Sequence, residues 1–289
     1  MDLDTFIQTL LNSVQTSSVY ALVAVGLAMA FGVMKMANFA HGEFYMIGAY
    51  VLYQVYQLWG LNFWIGVVVA IPIVALLGVA TERIIFRQTG ANILAGFMAT
   101  VGLGFVLQVA ALQIWGHGLM KRIDTPYMGA AEIGDAHVGW QRLIIIPCAI
   151  AMLIALRWFL YNVKLGKALR ACAQDPETAS LQGIKVRNMT MLAMAIAGAS
   201  AGLAGALMAP IAAITPYMGH HIVIIAFIVI VVGGTASVGG AVVAAIILGF
   251  IHTFVTTLVD STTAAMVGVG IMALTLVVRP QGLLGREAP

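Results

Sequence analysis

Apolar residues run along this chain in long blocks separated by short polar breaks. No Asp, Glu, Lys or Arg occurs from Phe44 to Thr81, from Gln88 to Met120, or from Asn188 to Val259. A membrane-spanning helix needs about 20 such residues. A spanning β-barrel would instead alternate apolar and polar positions over strands of ~10 residues. The run Ile222–Val232 has no such alternation. The pattern therefore predicts helices near 16–34, 44–58, 63–81, 92–115, 143–161, 190–214, 221–233, 241–259 and 262–278. Residues 4–15 either extend the first helix or form a separate interfacial segment. The expected fold is an all-α polytopic membrane bundle of about eight or nine spans. A single transmembrane domain over 1–289 accounts for the whole chain.

Composition narrows the function. Only 9% of the 289 residues are charged and 62% are hydrophobic, with a mean hydropathy of +1.01. Fourteen basic and 11 acidic side chains would not solvate a soluble protein of this size. That excludes a water-soluble enzyme, and the net charge of +3 does not point to nucleic acid. Basic residues instead mark the cytoplasmic side. Lys164, Lys167, Arg170, Lys185 and Arg187 outweigh Asp175 and Glu177 in one loop. Arg83 and Arg87 lie in a short turn, and Arg279 and Arg286 face only Glu287 near the C-terminus. Segment 117–142, by contrast, balances Lys121, Arg122 and Arg142 with Asp124, Glu132 and Asp135. The expected topology puts the first three regions and the C-terminus in the cytoplasm and the balanced loop outside. The acidic start MDLDTF lacks a basic signal-peptide region, so the first apolar segment is expected to stay in the mature protein. Cys148 and Cys172, one in a span and one in a basic loop, are not expected to pair.

Two interruptions carry candidate chemistry. In Met36–Tyr50 the polar residues Asn38, His41 and Glu43 break the apolar pattern. A charge near the bilayer centre costs about 2.5–3.5 kcal/mol on insertion scales. Either this is a broken or re-entrant segment lining a pathway, or it is a cytoplasmic turn with Lys35 and Glu43 in water. The second interruption, Gly233–Gly240, brackets Thr235 and Ser237 with four glycines. Paired interruptions in two halves of a chain point to a transport pathway and suggest a degenerate internal repeat. The alternative is two tight turns. Gly198-Ala-Ser-Ala-Gly202, continued by Gly205, is expected to pack helices closely. His117, His137, His220, His221 and His252 have no metal-ligand spacing, so neither a metal site nor a cofactor is expected. No phosphate-binding loop or nucleophile arrangement occurs either. If ATP drives the protein, another chain hydrolyses it.

The segment Lys164–Asn188 is long for a chain with otherwise minimal turns. It predicts a short basic helix, a turn at Asp175-Pro176, and a second helix with Ala179, Leu181 and Ile184 on its apolar side. It reads as a docking element or as a solvated loop that sets topology.

Four blocks together give a family resemblance: Gly26–Tyr50, Gly166–Ile184, Gly233–Gly249 and Arg279–Gly285. The chain resembles inner-membrane permease subunits of ABC importers of the branched-chain amino acid (LivH-like) type. Thr235-Ala236 departs from that pattern, where a hydrophobic residue and glycine are more usual. The resemblance implies a bacterial inner-membrane protein that pairs with a second, homologous permease as a heterodimer. It also implies two cytoplasmic ATPase subunits and a periplasmic substrate-binding protein. In the family, the loop matching Gly166, Arg170, Asp175, Ala179 and Gly183 sits in a groove of the ATPase. Asn38, His41, Glu43, Thr235 and Ser237 are the expected substrate pathway. Branched-chain or other hydrophobic amino acids are the expected cargo, with urea or short amides as the alternative. A self-contained secondary transporter coupled through Glu43 is a weaker one.

Overall fold

The computed structural model describes residues 3–90, 92–116, 120–127, 129–133 and 136–285. His117, Asp135, Arg286 and Glu287 lie outside these residues. The described chain is helical apart from one short hairpin, β1 (Ala130–Ile133) with β2 (Ala136–Gly139). α1 (Leu3–Met34) is one continuous helix, so the residues before 16 extend it. α2 (His41–Leu52) continues through the π-helical turn Tyr53–Leu58. α3 (Phe63–Thr81) runs on through a second π-helical turn, Glu82–Phe86, into α4 (Arg87–Thr89). α5 (Ile93–Trp115) and α6 (Trp140–Asn162) flank the hairpin. α7 (Lys164–Gln174) and α8 (Pro176–Leu181) form the long basic segment. α9 (Val186–Met208), α10 (Met218–Gly233), α11 (Val238–Leu258) and α12 (Ser261–Val278) complete the chain.

Polar side chains start several of these helices by accepting from free backbone N–H groups. Asn62 accepts from Trp64 N at 2.9 Å, Asn92 from Ala95 N at 3.0 Å, and Asp260 from Thr263 N at 2.8 Å. Among the described residues, seven helices are long and apolar enough to cross a membrane, and α2 and α10 are shorter. The span expected over 190–214 ends at Met208 instead, because Pro210 and Pro216 deny a helix its donors.

α1 and α9 form the centre and are buried over most of their length, whereas α5, α6 and α12 turn apolar side chains such as Val106, Ile154 and Val277 outward. In lipid, helices associate through close packing rather than through hydrophobic burial. Small residues supply that closeness. A methyl carbon on Gly26 of α1 would lie 3.1 Å from the Cα of Ala197 of α9.

The two ends of the bundle differ. α7, α8, the Glu82–Arg87 turn and the tail after Val278 lie at one end, here the basic end: Lys35 Nζ reaches Ala173 O at 3.1 Å, and Leu283 N donates to Val232 O at 2.8 Å. The hairpin and the N-terminus of α1 lie at the other, where Arg142 donates to Asn12.

The chain folds as two halves of opposite direction. α1, α2, α3 and α5 in the first half correspond to α9, α10, α11 and α12 in the second. α1 packs on α11 and α9 on α3, while α1 crosses α9 and α2 meets α10. Gly26-Leu27-Ala28 of α1 matches Gly202-Leu203-Ala204 of α9. The expected repeat therefore exists with a different pairing. The counterpart of the Lys35–Ala40 break is Ala209–Tyr217, and Gly233–Gly240 holds an ordinary inter-helix turn equivalent to Trp59–Asn62.

Candidate functional site

Both half-helices start inside the bundle. His41 Nε2 donates to Val23 O at 3.0 Å. Val23 lies 11 residues from the end of α1, about 16 Å in from the basic end at about 1.5 Å per residue. Lys35–Ala40 thus climbs back from the basic end to the interior before α2 begins. Asn38 starts that helix, its Oδ1 accepting from Ala40 N at 3.1 Å and its carbonyl from His41 N at 3.3 Å. Phe39 N donates to Thr100 Oγ1 of α5 at 3.3 Å. The reading that put Glu43 in water does not hold, since Asn38, His41 and Glu43 are all buried.

The first turn of α10 meets the first turn of α2 at Gly42 and Gly219. A methyl carbon on Gly219 would lie 2.7 Å from the Gly42 carbonyl and 2.7 Å from Glu43 Oε2, so neither position has room for a side chain. Each helix N-terminus carries roughly half a positive charge. Head to head these ends repel, and Glu43 places its carboxyl group between them.

Gln108 of α5 holds that carboxylate, donating from Nε2 to Glu43 Oε1 at 2.7 Å. The same amide nitrogen lies 3.0 Å from His220 Nδ1. His220 Nδ1 stands 3.6 Å from Glu43 Oε1. Glu43 Oε2, Asn38 Nδ2 and His41 Nδ1 are buried without a partner among the described residues. The His220 side chain is 54% exposed and Phe105 beside it 57%, with ring centroids 6.5 Å apart. A half-exposed imidazole deep in an apolar bundle faces a water-filled path or another chain rather than lipid. Toward the basic end, Phe39 bridges α5 and α10, 4.7 Å from the Phe97 ring and 4.5 Å from Phe227.

Thr235 and Ser237 are not part of this cluster. They lie at the α10–α11 turn at the basic end, where Thr235 is exposed and Ser237 caps α11 through Gly240 N at 3.0 Å. That turn packs near α7, since a methyl carbon on Gly32 would contact both Ala236 and Ala173. Gln108, in contrast, escaped the reading of the sequence, and His220 was read there only as a histidine without metal-ligand spacing. The signal for Gln108 was an amide midway along a charge-free span, and that for His220 was its place at a helix start after Pro216. His221 and His252 belong elsewhere, lining with Tyr20 a crevice of about 130 Å³ between α1, α10, α11 and α12.

The predicted basic helix, turn and second helix are α7 and α8. Each of the five residues named there shapes the element. Gly166 is buried against the end of α6, and Arg170 stacks its guanidinium 4.2 Å from the Tyr161 ring centroid. Asp175 caps α8, accepting from Glu177 N at 3.0 Å and Thr178 N at 3.1 Å. Ala179 is buried, and Gly183 with φ +82° ends α8 while Ile184 N returns to Ala179 O. Leu181 is left 86% exposed, an apolar knob among polar neighbours.

The Thr178 hydroxyl, then the Thr178 and Glu177 amides, hold the Asp175 carboxyl below its ordinary 3.8. Because the folded value is lowered, the cap is intact above the ordinary aspartate range and is lost as pH falls through the folded value. Carboxyl-carbon NMR should show Asp175 titrating below 3.8. A spin label at Ser180 should become mobile over the same acid range, and at neutral pH in Asp175→Ala.

The family model for "Branched-chain amino acid transport system / permease component" matches residues 9–278. The chain belongs to this family of permeases. The high-affinity branched-chain amino acid transport system permease protein LivH of Escherichia coli K12 is 31% identical to the permease, over 97% of this chain and 96% of LivH. BraD of Pseudomonas aeruginosa, named likewise, is 30% identical over 97% and 96%. Among solved structures, a chain of PsaBC from Streptococcus pneumoniae in complex with Fab shares the fold of the permease. Its TM-score is 0.53 at 16% identity, covering 94% of this chain and 92% of that one. The permease is thus a multi-pass membrane protein with transport relatives over 97% of its length.

Proposed function

We propose that this chain is one half of the translocation pathway of a binding-protein-dependent ABC importer for branched-chain or other hydrophobic amino acids. The observation that carries the reading is the half-exposed His220 above buried Glu43, where two half-helices meet inside the bundle. A second, homologous permease would face this surface and enclose the path. The whole chain, 1–289, acts as one transmembrane domain of the bacterial inner membrane. Its basic end, with the C-terminus, is cytoplasmic by the charge rule, and its hairpin end faces the periplasmic binding protein. α7 and α8 form the docking element for the cytoplasmic ATPases, with Leu181 as the knob that enters the ATPase groove.

Reconstitution with the partner permease, both ATPases and the binding protein should give leucine uptake that depends on ATP. Uptake that continues unchanged without the ATPases, or gradient-driven uptake by the purified chain alone, would overturn the reading.

A further inference from the structure

At the basic end two arginines converge on one aromatic ring, and we propose that they bind the phosphate headgroup of an anionic membrane lipid. The site needs the bilayer but not the transport reading, because it lies on the outward side of α6 and α7. Arg157 stands five residues before the end of α6, about 8 Å inside the span at about 1.5 Å per residue. It is exposed, as are its neighbours Trp158 and Tyr161. Trp and Tyr favour the depth of the lipid headgroups, so this face of α6 meets the boundary between membrane and water. One extended residue, Val163, separates α6 from α7. Arg170 of α7 then returns to the same ring. Its guanidinium carbon lies 4.2 Å from the Tyr161 centroid and that of Arg157 lies 5.2 Å from it.

Each guanidinium gains from the ring face, but the two charges repel each other. Nothing nearby in the chain balances them. No Asp or Glu occurs from Ala136 to Gln174, and α9, which packs on α7, has none either. α1 carries only Asp4, at the opposite end of the bundle, and Asp175 is taken up by the α8 cap. Arg170 Nε is buried with no partner among the described residues. Lys164 and Lys167, both exposed, extend the positive surface along α7. The missing group is an anion with several acceptor oxygens, and phosphate matches the guanidinium fork with paired N–H···O bonds. A lipid supplies it better than a free anion, since Trp158 is 61% and Leu165 52% exposed beside the charges. Basic clusters next to a span attract anionic lipids in this way. The headgroup ties α7 to the end of α6 and holds the base of the α7–α8 element at the membrane surface.

Native mass spectrometry of the full chain, released from neutral detergent micelles, tests the site. Dioleoylphosphatidylglycerol and dioleoylphosphatidylcholine both carry the phosphate, but only the second compensates it with choline. One phosphatidylglycerol should be retained at a concentration about 10-fold below that needed for phosphatidylcholine. Arg157→Gln and Arg170→Gln should each weaken that retention by about 10-fold, as for the loss of a charged hydrogen-bonding group. Arg87→Gln, which removes an exposed arginine elsewhere at the basic end, should leave it unchanged. Arg157 is exposed, so its variant reads the site even where loss of the Arg170 stack loosens α7. Equal retention of the two lipids overturns the proposal, as does parental retention in Arg157→Gln. An equal loss in Arg87→Gln also overturns it, because the attraction would then belong to the whole basic end. Inorganic phosphate in ten-fold excess should not displace the lipid; displacement would make the ligand a free anion and overturn the lipid assignment.

Discussion

Gly48→Leu is expected to leave no folded, monodisperse protein after detergent extraction. Gly48 on α2 faces Gly202 on α9, and a methyl carbon there would lie 2.6 Å from the Gly202 Cα and 2.8 Å from its carbonyl carbon. The obstacle is backbone, so no side chain can rotate out of the way. Forcing α9 back would also strain its contact with α3, because a methyl carbon on Gly202 would sit 2.8 Å from Val74 Cβ. Three helices share this crossing. Overpacking a core ordinarily costs about 1–3 kcal/mol; displacing two backbones at a shared crossing should exceed about 5 kcal/mol, as much as the whole stability of a marginal domain. Size-exclusion profiles and thermal melting of Gly48→Leu beside Gly48→Ala would check it. The alanine variant should extract but melt earlier. A leucine variant that elutes and melts like the parent would mean that α2 does not approach α9 this closely.

What the sequence carried well was the architecture, because bilayer thickness and charge distribution act on long blocks of residues. Every long apolar block is a helix, and the three basic regions fall at one end. The half-helices were harder to read. Met218–Gly233 looks like a short span, and only contact with Gly42 reveals that it starts inside the bundle. Asn38, His41 and Glu43 were visible because polar groups in an apolar run are costly, yet cost alone does not separate a buried break from a surface turn. The difference lies in the His41 bond to Val23 O, between residues on different elements. Gln108 and His220 stayed hidden for the same reason, since each becomes informative only beside Glu43.

The internal repeat shows the limit from another side. Spacing paired the polar break with the glycine-rich segment at 233–240, as both interrupt apolar runs. The fold pairs it with Ala209–Tyr217, where proline rather than a cluster of charged or amide side chains does the interrupting. Equivalent positions in the two halves have diverged chemically, Glu43 in one and His220 in the other, while keeping Gly42 and Gly219 for the contact itself. Inverted halves then place two unlike polar groups at one point inside the bundle, a carboxyl group on one side and an imidazole on the other.

The amide that joins those two groups is the most sensitive position outside the carboxylate. Gln108→Leu should reduce ATP-dependent leucine uptake by about 100-fold and destabilise the chain by about 3 kcal/mol, the upper range for stranding a buried polar group. Leucine fills similar space but donates nothing, so Glu43 would be left with two unpartnered oxygens and His220 with a free Nδ1. A general packing defect would predict a similar loss, and the double variant separates the two. With Glu43→Gln added, the charge that needed the donor is gone, and part of the lost stability should return. The melting of Gln108→Leu, Glu43→Gln and the pair forms a cycle. A coupling of more than about 1 kcal/mol in the restoring direction is expected. Additive losses would mean that Gln108 only fills space between α5 and α10, and that the carboxylate draws its stability from the helix ends alone.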